Sequence, residues 1–224
     1  PVGNPEHHDG AGAGQHKLRV KALVGGPLHP GHVGVVSRGE PGAERWSGWR
    51  FDRGETHDVE PEFPEAAAEL LAETVVEMAG SGELLIDAYC GSGFFAKRLL
   101  GPFQKITGLE WSQGAVAEAR RTATEKETYL PGAVENSLAG ILAEAPLGET
   151  TLLLDPPAEG LSPDVARTIL ENPPARIVYV SCDPATFSRD AAKFLERYTL
   201  SRVQPIDMFP QTAEIELAAL FLLA

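Results

Sequence analysis

The sequence predicts an α/β fold: a mostly parallel, seven-stranded sheet with helices on both faces, one antiparallel strand at its end, and a small N-terminal β region. Three observations predict it. From about residue 62 helical and strand-like patterns alternate, and within one domain that alternation produces a parallel sheet flanked by helices. The last two strand-like segments, TLSRVQPIDMF and AEIELAALFLL, have no helix between them, so one must run antiparallel. Before residue 62 the pattern is different, with short alternating segments broken by Gly and Pro.

In order along the chain, residues 1–16 are rich in Gly, Pro and Ala without apolar period and read as disordered. Within 17–58, KLRVKALV and HVGVVSR alternate like strands, and WSGWRF is a candidate third. Trp46, Trp49 and Phe51 suit either stacking on bases or packing on the main domain. The remainder, 59–224, begins with the helix FPEAAAELLAETVVEMAG, ending at Gly80. LLIDAY is a short buried strand, followed by the turn CGSGF and a helix to about Leu100. KITGLE is a strand, and SQGAVAEARRTATEK a helix with Ser112 as N-cap. AVENSLAGILAE reads as a helix, TTLLLD as a strand, SPDVARTILEN as a helix. RIVYVSC is a strand, DPATFSRDAAKFLERY a helix, and the strand pair closes the chain.

Composition narrows the function. Hydrophobic residues make up 43% of 224, enough for an ordinary core, and no run approaches the ~18 apolar residues of a membrane helix. No basic-then-apolar leader opens the chain, and a start at Pro1 implies a native N-terminus further upstream; the expected location is cytoplasmic. Two cysteines, Cys90 and Cys182, rule out a disulfide framework, and no CxxC pair suggests zinc or iron–sulfur. The net charge is −13. Residues 1–58 hold seven Lys/Arg and seven Asp/Glu, leaving 12 of the 19 basic and 25 of the 32 acidic residues in 59–224. An excess of acid counts against strong phosphate-driven RNA binding by this stretch alone.

Ligands of open parallel sheets bind at the carboxyl ends of the strands, and five strand ends carry suggestive residues. Asp87-Ala88-Tyr89-Cys90-Gly91-Ser92-Gly93-Phe94 is a glycine turn that lets backbone approach a ligand at a helix start. Glu110, about twenty residues on, is placed to accept hydrogen bonds from both ribose hydroxyls of a nucleoside. A turn without Lys or Arg suits a nucleoside without phosphate, such as S-adenosylmethionine. Asp155-Pro156-Pro157 is a stiff acid-bearing loop suited to holding a planar base edge-on, or simply a strand-ending turn. Cys182 leaves an apolar strand for a helix start, where the helix dipole favours a thiolate; Cys90 reads as packing of the glycine turn. Asp207-Met208-Phe209-Pro210-Gln211-Thr212 precedes Glu214 and Glu216, which project from one face of AEIEL. One of these acids is a candidate base, although a solvent-facing edge explains the pair equally well.

The segments LLIDAYCGSGFFAKRL, ITGLEWSQGAVAEAR, LLLDPPAEGL, IVYVSCDPATFSRD and DMFPQTAEIELAALF together resemble the RNA 5-methyluridine (uracil-5-) methyltransferases of bacterial tRNA and 23S rRNA, over roughly residues 62–224. SCDPATFSRD and DMFPQT are the most specific parts. The resemblance implies a Rossmann-like class I methyltransferase sheet, S-adenosylmethionine as cofactor, and RNA as substrate. It implies Cys182 as the nucleophile that attacks uracil carbon 6 and Glu216 as the base that removes the carbon 5 proton. It further implies that Tyr89, Gly91, Gly93, Phe94, Glu110 and Glu135 hold the cofactor, that Asp155 lies between cofactor and base, and that Pro156 and Gln211 line the substrate side.

The chain departs from the family pattern at three places. Glu60-Pro61-Glu62-Phe63-Pro64 stands where members carry a Phe-x-Gln-x-Asn segment whose Gln touches the cofactor. Ala158 replaces the Arg after Asp-Pro-Pro, and Glu214 replaces the His two residues before the base. Iron–sulfur cysteines and a recognisable RNA-binding barrel are also lacking in this sequence. Two other readings therefore stand beside the first. One is a domain that keeps the fold without catalysis. The other is a methyltransferase acting on another substrate, against which Ala158 argues, since amino-methylating enzymes usually carry an aromatic there.

Overall fold

The computed structural model describes residues 62–208 and 215–224, with side chains from residue 66. The segments expected to be disordered (1–16) and to form a β region (17–58) lie outside the described residues, as do Glu60, Gln211 and Glu214.

The chain runs α1 (Glu62–Ala79), β1 (Gly82–Ala88), α2 (Phe94–Arg98), β2 (Phe103–Glu110), α3 (Gln113–Arg121), β3 (Glu127–Pro131), α4 (Val134–Glu144), β4 (Thr150–Leu154), α5 (Pro163–Glu171), β5 (Arg176–Ser181), α6 (Pro184–Phe194), β6 (Tyr198–Ile206) and β7 (Glu216–Leu223). These strands form one seven-stranded sheet in the order β3-β2-β1-β4-β5-β7-β6. β1 to β5 pair in parallel, and β7 runs antiparallel to both its neighbours, β5 and β6. The expected fold is therefore the observed one, with a refinement: the antiparallel strand lies inside the sheet, second from its edge.

Alternation along the strands builds two cores. Leu85, Leu153 and Val178 point to one face, under α1, α2 and α3 through Leu71, Val75, Phe95 and Val116. Their neighbours Ile86, Leu152 and Ile177 point to the other, under α4, α5 and α6 through Leu138, Ile169, Phe187 and Phe194. Period-two side-chain direction on a sheet buried on both faces explains the nearly continuous apolar runs of LLID, TTLLLD and RIVYVS.

Helix starts follow their caps. Ser112 accepts from Ala115 N at 3.4 Å and Ser162 from Val165 N at 3.3 Å. Asp183 accepts from Ala185 N and Thr186 N at 2.7 and 2.8 Å, with Pro184 in the first turn of α6.

α3 stops at Arg121, five residues short of the expected end, because the chain turns there to begin β3. β3 is the strand whose position the sequence hid. It is five residues long, sits at the sheet edge, and opens on Glu127, so neither length nor hydropathy signals it. Glu127 is consumed internally, accepting from Thr124 N at 2.7 Å and Tyr129 Oη at 2.6 Å.

The topological switch point lies at β1. The chain moves from β1 outward through β2 and β3, then returns to lay β4 on the other side of β1. A crevice opens at the carboxyl ends of strands where the order reverses in this way.

Candidate active site at the carboxyl edge of the sheet

Strand ends place the predicted residues along one edge. Tyr89 follows β1, Glu110 ends β2, Asp155 follows β4, Cys182 follows β5, and Glu216 begins antiparallel β7. Across the switch point the Asp155 amide donates to Ala88 O at 3.4 Å, which fixes the start of the proline loop against β1.

The glycine turn after β1 is conformationally unusual. Tyr89 has φ +68, a left-handed conformation that side chains other than glycine's rarely adopt. Gly91 (φ +54) and Gly93 (φ +85) follow. A Cβ on Gly93 would meet Tyr129 Oη at 2.7 Å, so this glycine is required by the fold itself. A Cβ on Gly91 would meet nothing within 4 Å, so that side of the turn is open to a ligand. Phe94, opening α2, is half-buried, edge-on to Phe95 with Arg98 over its ring at 4.1 Å.

Glu110 ties this turn to the next strand. Its Oε2 accepts from Gly91 N at 3.1 Å and its Oε1 from Ser112 N at 2.7 Å. A carboxylate has about four acceptor sites, so both oxygens keep capacity for two hydroxyl donors. Glu135, in the first turn of α4, is exposed and close enough to Tyr89 for its charge to act there. Burial first, then Glu135 and Asp190, push the Tyr89 hydroxyl upward.

Asp87 was not singled out from the sequence. It is 0% exposed, and neither carboxylate oxygen has a hydrogen-bond partner among the described residues. The amide of Ala96 is near enough to favour its charge but does not complete a hydrogen bond. Burial, followed by the charge of Asp155, raises its pKa well above the usual carboxylate range. The signal was available, since it is an acid inside the apolar run LLIDAY at the first strand's carboxyl end. Asp155 is pushed up to about 7 by burial. With an open glycine cradle, spare acceptor capacity at Glu110 and an orphaned buried acid, the residues fit a ligand carrying hydroxyl and cationic donors and no phosphate.

β7 supplies the other half. Ser181 pairs with Leu217 in the antiparallel β5–β7 ladder. The next residue on each strand, beyond that last pair, is Cys182 on one side and Glu216 on the other. Their proximity is also felt electrostatically: partial desolvation of the sulfur first, then Glu216 and Asp155, push the Cys182 thiol up to about 11. The expected help from the helix dipole is not delivered. Asp183 already occupies the first amides of α6, and its negative charge adds to the upward push on the thiol. Cys182 is exposed and Cys90 buried, which fits the packing role read for Cys90. Pro156 is buried beside Asp155, and Gln211 lies outside the described residues. Among the described residues no cluster of three or more His, Cys, Asp or Glu is arranged to hold a metal, and no helix is long and apolar enough to cross a membrane.

Residues 136–223, from within α4 to the end of β7, match the family described as tRNA (Uracil-5-)-methyltransferase. This segment is the part of the chain that matches that family. It carries Asp155, Cys182 and Glu216; a curated relative extends the similarity over more of the chain. An uncharacterized RNA methyltransferase of Lactococcus lactis subsp. lactis is 39% identical over 161 residues, 69% of this chain and 35% of that protein. The chain thus spans about a third of the length of that relative. The Pyrococcus abyssi tRNA (uracil-54, C5)-methyltransferase, solved with S-adenosyl-L-homocysteine, superposes with a TM-score of 0.60 at 30% identity, covering 69% of this chain and 38% of that one. The N-methyltransferase NodS of Bradyrhizobium japonicum, at 12% identity and a TM-score of 0.56, covers 74% of this chain and 99% of its own and shares the fold. The fold is that of S-adenosylmethionine-dependent, Rossmann-like methyltransferases.

Proposed function

We propose that this chain carries the catalytic domain of an RNA uracil-5-methyltransferase that uses S-adenosylmethionine. The observation that carries the reading is the β5–β7 ladder, whose last pair is Ser181 and Leu217, so that the next residue on each strand, Cys182 and Glu216, falls at the same sheet edge as the glycine turn, near enough for the Glu216 charge to act on the thiol. The cofactor would be held by the Gly91 side of the turn, by Tyr89 and Phe94, and by Glu110 on the ribose hydroxyls, with Glu135 near Tyr89. When bound, it supplies the methyl group that carbon 5 of the base receives.

The chain's own residues do the rest. The Cys182 sulfur forms a bond to uracil carbon 6, and the ring electrons move to make carbon 5 nucleophilic. After methylation Glu216 takes the carbon 5 proton, the ring electrons return, and the carbon–sulfur bond breaks to release Cys182. Asp155 and Pro156 border the base on the β4 side. The thiol is raised above its usual range, so its proton passes to solvent, to which Cys182 is exposed, as the sulfur attacks.

RNA containing 5-fluorouridine tests this. Fluorine at carbon 5 cannot be removed as a proton is, so the wild-type chain with cofactor should accumulate a covalent RNA–protein species that Cys182→Ser does not form. Calorimetry run in parallel should detect cofactor binding, weakened by Glu110→Ala. Bound cofactor with no adduct on any RNA would return the non-catalytic reading. Glu216→Gln should accumulate adduct on ordinary uridine RNA, because attack and methylation proceed while proton removal stalls.

A further inference from the structure

The Arg189-Asp190 pair at the end of SCDPATFSRD has no part in the chemistry above, yet the structure spends a dense set of contacts on it. Asp190 is 0% exposed. Its Oδ2 accepts from Leu161 N at 2.8 Å and from Tyr179 Oη at 3.1 Å, and Lys193 donates to its Oδ1 at 3.1 Å. Arg189 reaches both carboxylate oxygens at 3.0 Å, and its Nη2 also donates to the carbonyl of Glu159 at 2.8 Å.

Glu159 and Leu161 belong to the loop that begins Asp155-Pro156-Pro157. Arg189 and Asp190 belong to α6, which starts two residues after Cys182. Between the two gripped positions lies Gly160, with φ +75, where a Cβ would fall 2.4 Å from Asp190 Oδ2 and 2.5 Å from Arg189 Nη2. Loop and helix therefore meet at a contact that only glycine permits.

We infer that Arg189 and Asp190 are positioning residues: they clamp the Asp155-Pro156-Pro157 loop to the helix of Cys182, so that the sulfur and the loop bordering the base hold one fixed separation. The two strand ends are adjacent in the sheet, but β4 and β5 pair only up to Leu154 and Tyr179. Beyond those pairs the backbone ladder no longer sets the distance, and the clamp takes over. The arrangement would matter most during attack, when a sulfur-to-carbon approach tolerates little error. This rests on the reading of Cys182 as nucleophile.

Arg189→Ala and Asp190→Asn test it. Asp190→Asn keeps an oxygen for Leu161 N and Tyr179 Oη while turning an amide donor toward Arg189, which releases the outer half of the clamp. Both variants, assayed well below their thermal midpoints, should form the 5-fluorouridine adduct roughly tenfold more slowly at saturating RNA, with the half-saturating RNA concentration and the rate of Cys182 alkylation by iodoacetamide close to wild type; the thermal midpoint should stay close to wild type in Arg189→Ala and fall in Asp190→Asn, which loses the charge that the surrounding donors favour. Arg189→Lys, which keeps a donor within reach of Glu159 O, should recover part of the rate. An unchanged adduct rate, or a loss that follows the thermal midpoint or the alkylation rate, overturns the clamp. If the wild-type chain itself forms no adduct while binding cofactor, it is the nucleophile reading that fails.

Discussion

Two aspartates in this domain are equally buried, both 0% exposed, and are treated in opposite ways. Asp190 is surrounded by donors. Burial alone would raise its pKa, but the hydrogen bonds from Arg189, Leu161, Lys193 and Tyr179 outweigh it and hold the carboxyl below its usual value. Asp87 has neither oxygen paired, faces the like charges of Asp155 and Glu110, and is raised. A buried charge is tolerable when paired and costly when alone. The difference separates two uses of one residue type: Asp190 fastens elements together, whereas Asp87 carries an unmet demand at the strand end where the cofactor is proposed to bind.

The largest effect expected from this contrast is on stability. Asp190→Ala leaves the Leu161 amide and the Tyr179 hydroxyl buried without an acceptor and should cost about 3 kcal/mol in urea unfolding. Asp87→Asn removes a charge that has no partner and should cost less than about 1 kcal/mol or stabilise the domain. The reverse order would break the comparison.

Titration sharpens it. The folded pKa values of Asp87 and Asp155 lie above the unfolded value, so their contribution to stability is fully present below the unfolded carboxylate pKa and is lost as pH rises through the folded one. For Asp155 that window runs from about 4 to about 7. Asp190 is depressed, so its contribution is present above the unfolded pKa and is lost on acidification through the folded one. Unfolding free energy measured against pH should therefore gain less from acidification between 7 and 4 in Asp155→Asn than in wild type.

A smaller effect is expected at the glycine turn, where the same contrast recurs. Gly93→Ala drives a methyl into Tyr129 and should destabilise by about 2 kcal/mol. Gly91→Ala meets open space and should cost about 1 kcal/mol, from φ alone, yet weaken cofactor binding more than Gly93→Ala does relative to its effect on folding. The smallest effect belongs to Trp111, which follows Glu110 and is 77% exposed: Trp111→Ala should change stability by no more than about 0.5 kcal/mol.

Most of this architecture was legible because the sheet is buried on both faces. LLIDAY, TTLLLD and RIVYVS announce themselves as strands, and Ser112 caps its helix as read. β3 was not legible, because an edge strand of five residues with its acid spent inside the strand has no apolar run to display. Glu110 and Cys182 could be picked out by their place at strand ends, where position alone predicts exposure to a ligand. Asp87 and Asp190 could not be told apart in this way. Their roles depend on which donors other elements bring to them, and Leu161 lies 29 residues from Asp190. The thiol of Cys182 was misjudged for a related reason: the sequence places it at a helix start, but not the fact that Asp183 takes the amides of that start for itself.

The interior position of β7 has a consequence for how the domain is assembled. β7 is the last described strand in chain order, yet β6, made before it, reaches the sheet only through it. Without β7, β6 has no backbone partner in the sheet. One strand thus completes the hydrogen-bonded ladder on both sides and carries the proposed base, Glu216, at its start. A chain interrupted before β7 would keep Cys182 and the glycine turn and lose Glu216, the residue proposed as base.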